Sequence, residues 1–239
     1  MDNYSLKART YPVLILFLPL VIIGITYSIA YENYLQLLST IGISTALSYF
    51  LSNIGRDFGK KKESALWNHW GGAPTSQLLN YQNDSIDNIT KDRYHTKLLE
   101  LVTIKKEIDF KKSAKKEIDE IYRAWTKYLK TKTRDTKKYS LVYKENVSYG
   151  FRRNLWGLKL FSIILIIINI VANYSFQSVK HGFKNLTAFP LEFFISEFLL
   201  FALLIIWVVL ITRNWVKVPA FAYAERLLEA VDSIEKDNI

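Results

Sequence analysis

Four predominantly apolar runs set the plan of the chain: residues 11–30, 35–54, 155–172 and 191–212. A bilayer core of about 30 Å is crossed by about 20 such residues in a helix, so the pattern predicts four transmembrane helices. The first two are joined by only Tyr31-Glu32-Asn33-Tyr34, a tight hairpin. Between the second and third runs the periodicity changes. Ile118, Ile121, Tyr122, Trp125 and Leu129 recur at i, i+3, i+4, i+7 and i+11, one stripe of an amphipathic helix that Ser113 is placed to cap. Tyr94, Leu98, Leu101 and Val102 mark a shorter helix over 91–102, and the Asn-, Asp- and Ser-rich residues 78–90 read as a loop. Beyond the last run, Pro219 is placed to open a final helix. Leu227, Leu228, Val231 and Ile234 lie on one side of it, and Glu225, Glu229, Asp232 and Glu235 on the other. No alternating strand pattern of any length occurs.

Charge orients this plan. Residues 55–154 hold 23 Lys and Arg against 13 Asp and Glu, a net of +10, whereas the hairpin at 31–34 has one acid and no base. The positive-inside rule therefore puts 55–154 and both termini in the cytoplasm. Lys7 and Arg9 before the first run, and Arg213 and Lys217 after the fourth, agree; Lys159 is close enough to the third run's inner end to snorkel back. The basic N-terminus followed by an apolar run resembles a signal peptide, but the length of that run and the second run close behind it favour a membrane anchor. The expectation is an all-α protein. Residues 1–54 form transmembrane helices 1 and 2, 55–154 a basic helical cytoplasmic domain, 155–213 helices 3 and 4, and 214–239 a cytoplasmic amphipathic helix. That helix is an acidic tail against a basic domain, in its own subunit or a neighbour's.

Candidate chemistry is sparse. The absence of cysteine excludes disulfides, thiol catalysis and Cys-ligated zinc, and His69, His95 and His181 make no metal-ligand spacing. No cofactor is expected. An enzyme would have to use Asp57, Glu63, His69 or His95; Glu63 and His69, six apart, fall on different helix faces, and no nucleophile motif accompanies them. A non-enzymatic role is expected. In the second run Gln36, Thr40, Ser44, Ser48 and Ser52 are spaced by four and share a slowly turning face with Thr45 close by. Two readings fit: a small-residue face packing helix to helix, or a pore lined by Thr40, Ser44, Ser48 and Ser52. Glu197 lies within the fourth run, where an ionisable side chain is a functional candidate, with Asn169 and Asn173 as candidate partners. A ring of Glu197 side chains in an oligomer would favour cations.

Basic groups cluster at 56–62, 105–116 and 133–139. Lysines beside a membrane attract anionic lipid, which fits the middle cluster, as does a solvated helix face. In TRDTKKY and GFRRNLWG arginine, lysine and aromatic rings are mixed, a composition suited to phosphates and bases. Arg134, Lys137, Lys138, Arg152 and Arg153 are the candidate phosphate contacts there, with the last two alternatively held on lipid head groups. In LWNHWGGAPT, Trp67 and Trp70 precede Gly71 and Gly72, one of which supplies the left-handed residue that closes a helix running on from the second span. Pro74 prevents its continuation and Thr75 is placed to cap the next segment, so the stretch reads as a structural corner.

LWNHWGGAPTSQLL, RYHTKLLEL and TRDTKKYSLVYKENVSYGFRRNLWGLK together carry W-G-G-x-P-T and N-x-x-Y-G-F-R-R-N-x-x-G signatures. Over residues 55–159 the chain resembles a family of small bacterial multi-span proteins, the membrane effectors of Hailong-type anti-phage systems. The resemblance implies a homo-oligomeric ion channel of the bacterial inner membrane, expected to be a tetramer. Its cytoplasmic domain would bind a nucleotide or short DNA oligomer supplied by a partner nucleotidyltransferase. Opening would depolarise the membrane and arrest growth as an abortive infection response. Where the family pattern has arginine after P-T-x-x-L-L this chain has Asn80, which puts any phosphate contact at that position in doubt. The rival expectation is a membrane-tethered sensor or adaptor without a pore.

Overall fold

The computed structural model describes residues 3–102, 104, 109–110, 114–182 and 186–235, and every described element of regular structure is helical. The chain divides into two compact units. One comprises Met1–Glu63 and Gly150–Val216, the other Ser64–Tyr149 and Lys217–Ile239.

In the first unit a π-helical turn, Ser5–Thr10, leads into α1 (Tyr11–Leu16) and α2 (Leu18–Ala30). The helical stretch Ser5–Leu16 and α2 are bent by 59° at Phe17, so the first apolar run is not the one straight helix that the sequence predicted. Pro19 is the cause: it offers no N–H and its ring crowds the carbonyl four residues back. The hairpin closes as expected, with Glu32 at φ 52° and the Asn33 N–H donating to the Ser28 carbonyl at 2.8 Å. Asn33 Oδ1 then accepts from the Gln36 N–H at 3.0 Å, which starts α3 (Tyr34–Trp70).

Two very long helices arise because the apolar runs continue into polar sequence without a break. α3 has 37 residues and α7 (Ser140–His181) has 42. At 1.5 Å per residue they span about 55 and 63 Å, well beyond a bilayer core of about 30 Å. α8 (Leu191–Ile205) ends in a π-helical turn, Ile206–Leu210. Among the described residues three helices are long and apolar enough to cross a membrane, or four spans if the bent pair counts as one, and these point to a membrane location. Leu155 and Ile166 of α7 and Leu200, Leu203, Trp207 and Ile211 form the apolar core of this unit. α3 and α7 cross at Gly59 and Gly157, where a Cβ on Gly157 would stand 2.5 Å from the Gly59 nitrogen. Only glycine permits that approach.

The second unit contains α4 (Pro74–Leu79), α5 (Asn88–Leu101), α6 (Lys115–Lys132), the first turns of α7 and most of α9 (Arg213–Glu229). Its core takes the expected stripe of α6 (Ile121, Tyr122, Trp125, Leu129) with Leu98, Leu227, Leu228, Val231 and Ile234. The tail therefore packs in its own subunit, and Asp232 meets Arg93 of α5 at 3.1 Å. Three expectations need correction, and one is not tested. α5 starts three residues early because Asp87 caps it, accepting from the Thr90 N–H at 2.8 Å. α4 lies inside the expected loop, with Ala73 as N-cap and Pro74 in its first turn, so Thr75 is helical and not the cap. Pro219 sits inside α9 and does not open it. Ser113 lies outside the described residues, as does most of the 105–116 cluster, and the residue preceding α6 is Ala114.

Candidate functional site

On α3, Ser44, Ser48 and Ser52 are buried within the subunit, as are Gly55 and Gly59, while Thr40 is half-buried. Their hydroxyls return to their own helix: Thr40 to the Gln36 carbonyl, Ser48 to that of Ser44 and Ser52 to that of Tyr49, at 2.6–2.8 Å. That placement corresponds to the small-residue packing face, and not to a wall open to an oligomer axis. Much of the rest of its apolar stretch is exposed, including Leu35, Leu38, Ile43 and Phe50.

Glu197 is also internal. It lies 9% exposed in a buried polar cluster contributed by α2, α7 and α8. Asn173 Nδ2 donates to Glu197 Oε1 at 2.9 Å and to Ser196 Oγ at 3.0 Å. Tyr27 donates to Asn173 Oδ1 at 2.8 Å, and Gln177 Nε2 donates to Tyr27 Oη at 2.8 Å. Asn173 is thus the carboxylate's expected partner. Asn169 is not, because its amide donates to the Leu165 carbonyl at 2.7 Å. The carboxylate is satisfied inside one subunit, an arrangement unlike a ring of side chains around an axis.

The five basic candidates divide in two. Arg153 is 5% exposed and donates through Nη1 to Glu63 Oε1 at 2.7 Å. Arg152 donates to the Trp215 carbonyl at 2.9 Å and lies 4.7 Å from the centroid of that indole. Both are engaged within the first unit. Arg134, Lys137 and Lys138 belong to the second unit and are exposed. Asp135 sits among them, accepting from the backbone N–H groups of Lys137 and Lys138 at 2.9 and 3.1 Å, and these bonds hold its carboxyl below the usual range. It reduces the cationic surplus of this turn without removing it.

At the corner, α3 closes in a Schellman motif. The Gly71 N–H reaches the Asn68 carbonyl at 3.2 Å and the Gly72 N–H reaches that of Trp67 at 2.8 Å, with φ of +93° and +143°. Trp70 is buried beside Phe221, and Trp67 donates to Tyr149 Oη at 3.3 Å, so both indoles are packing groups.

Compared with known protein families, curated proteins and solved structures, the chain matches none.

One arrangement escaped the sequence. His95, 4% exposed, is boxed by the rings of Tyr81, Phe110, Tyr122 and Trp125 at 4.6–5.6 Å between centroids. Its Nε2 and Tyr122 Oη both reach the Leu79 carbonyl, at 3.0 and 3.1 Å, so Nε2 carries the proton. Burial lowers the imidazole's pKa and raises that of the Tyr122 phenol. The only hint in the sequence is helical spacing: His95 stands one residue after Tyr94 and three before Leu98, at the edge of the apolar stripe. A neutral, enclosed imidazole is a core group and leaves no face for catalysis. No group of three or more His, Asp or Glu suited to a metal ion occurs among the described residues.

Proposed function

We propose that this protein is an oligomeric ion channel of the bacterial inner membrane, with both termini in the cytoplasm, acting as a non-enzymatic effector of anti-phage defence. A nucleotide or short DNA oligomer, made by a partner nucleotidyltransferase, binds the basic unit and opens the channel; depolarisation then stops growth. The observation that carries the reading is the continuity of α3 and α7, each of which runs unbroken from an apolar span into the basic unit. A ligand that displaces that unit acts on two membrane helices through their own backbones. The exposed cations Arg134, Lys137 and Lys138 supply phosphate contacts, and the W-G-G-x-P-T and Y-G-F-R-R-N signatures support the family reading. Because Arg152 and Arg153 are engaged elsewhere, the ligand rests on the 133–139 turn. A tetramer is the expected assembly, since four spans from one subunit do not enclose a water-filled pore.

The test is ion flux across vesicles holding the full chain, with and without short single-stranded DNA. Flux that depends on the oligomer, and is lost when Arg134, Lys137 and Lys138 are replaced by glutamate, supports the reading. Oligomer binding with no flux supports a second one, a membrane-tethered adaptor that recruits a protein. The burial of Ser44, Ser48, Ser52 and Glu197 within one subunit favours that alternative, because it takes those polar groups away from any oligomer axis.

A further inference from the structure

The π-helical turn Ser5–Thr10 packs beside α3 around a pocket of about 340 Å³ lined by Ser5, Arg9, Tyr49, Phe50, Ser52 and Asn53. Among these Arg9 is the only ionisable group apart from the Tyr49 phenol, so the described lining residues carry one positive charge and no carboxylate. Arg9 is half-buried, stacked 5.5 Å from the Tyr4 ring, and its Nε is buried without an acceptor among the described residues. A buried guanidinium nitrogen left without an acceptor costs free energy unless something else supplies one. Asn53 is exposed and presents an amide donor at the same pocket.

The depth of the pocket says where that acceptor comes from. Tyr34 begins α3 at the hairpin end of the spans, and at 1.5 Å per residue Asn53 lies about 28 Å further along, close to the full thickness of the hydrocarbon core. Arg9 stands just before α1, at the opposite end of its span from the hairpin. The pocket therefore opens at the membrane surface on the basic side. From the pocket toward the hairpin along α3 runs an exposed apolar stripe, Phe50, Leu47 and Ile43, at helical spacing. Tyr49 and Phe50 are exposed at the pocket itself, where aromatic rings settle at head-group level.

We propose that this pocket binds the phosphate of an anionic phospholipid, with Arg9 as its bidentate ligand, Asn53 as a further donor, and the acyl chains laid on the Ile43–Phe50 stripe. One guanidinium matches one phosphodiester charge, and arginine's planar fork fits phosphate oxygens in pairs. The same oxyanion chemistry would serve inorganic phosphate; the apolar stripe and the depth assign the site to lipid. Lipid binding here is independent of what gates the protein, and its test does not read ion flux.

The experiment incorporates the full chain into phosphatidylcholine vesicles with and without phosphatidylglycerol, extracts it in mild detergent, and counts retained lipid by native mass spectrometry. Wild type is expected to retain phosphatidylglycerol over phosphatidylcholine. Arg9→Gln is expected to lose that preference by about tenfold or more, the loss of a charge-assisted hydrogen bond, and Arg9→Lys to keep part of it. Asn53→Asp, at an exposed position that tolerates substitution, places a carboxylate at the pocket and is expected to lose it as well; this variant decides the matter if Arg9→Gln fails to fold. Equal retention of both lipids by wild type overturns the proposal. So does unchanged retention in folded Arg9→Gln or Asn53→Asp, and so does displacement of the lipid by millimolar inorganic phosphate, which would mark a site for a free anion.

Discussion

Replacing Glu63 with alanine tests whether Arg153 is structural or ligand-facing. The Arg153 side chain is 7% exposed and that of Glu63 17%, with 2.7 Å between Nη1 and Oε1. At an effective dielectric of 20 the attraction at that distance is about 6 kcal/mol, much of it offset by the desolvation of both ions. Removing one partner of such a pair costs about 3–5 kcal/mol, because the other charge stays buried; the water still reaching Glu63 argues for the lower end, about 3 kcal/mol. Arg153 also reaches Asn154 Oδ1 through Nε and Nη2 at 3.3 Å, and Asn154 Nδ2 donates to the Ala8 carbonyl at 2.7 Å. The loss therefore disturbs α3, α7 and the N-terminal turn together. For a chain of this size about 3 kcal/mol lowers the unfolding midpoint by about 6–12 °C. The assay is thermal unfolding of the full chain in one detergent, followed by tryptophan fluorescence. It compares Glu63→Ala, Arg153→Met and the double variant. The double variant should be no less stable than the worse single one, since removing both charges leaves none unpaired. A Glu63→Ala midpoint within 2 °C of wild type (about 1 kcal/mol or less), together with loss of oligonucleotide binding in Arg153→Met, would refute the reasoning and return Arg153 to the ligand.

Gly71→Val forces a β-branched residue to φ +93°, a strain of about 2 kcal/mol, and should lower the midpoint by about 4–8 °C; wild-type stability would remove the corner from the account. His95 titrates lower in the fold than its ordinary 6.5, so the unfolded chain takes up its proton first, and stability should fall as pH drops below about 6.5. His95→Phe should flatten the midpoint between pH 7 and 5; an unchanged slope would place the effect elsewhere. Asp87, whose carboxyl the Thr90 N–H and hydroxyl hold below its ordinary value, loses its contribution only at more acidic pH and does not confuse that window. Glu197→Gln keeps an acceptor for Asn173 and should leave the selectivity of any conductance unchanged, and a shift toward anions in vesicle flux would put the carboxylate back at a pore.

Helix identity and the closure of α3 were legible because their causes are local, whereas several other helix ends were not. The α6 stripe needs only period and polarity, and the Gly71-Gly72 closure needs only residues able to adopt positive φ, followed by a proline. Prolines were harder, because the same residue starts, bends or sits within a helix according to its surroundings. Pro19 bends the first apolar run, whereas α9 passes through Pro219, held by the buried series Val216, Ala220, Ala224 and Leu227 at helical spacing. The basic candidates divided for a long-range reason. Arg134, Lys137 and Lys138 stay exposed on a surface turn, while Arg153 finds its carboxylate ninety residues away.

From the sequence itself come the all-helical fold, the apolar runs that match a bilayer, the basic domain between them and the corner at Gly71. Each is a consequence of periodicity, length or local backbone chemistry. Tertiary structure decided which polar side chains are buried and what they pair with. Ser44, Ser48 and Ser52 look the same on a helical wheel whether they face water or a neighbouring helix, and Arg153 looks the same beside a phosphate or beside Glu63. The free energy that separates those outcomes lies in desolvation and pairing with groups distant in sequence, and no local pattern records it.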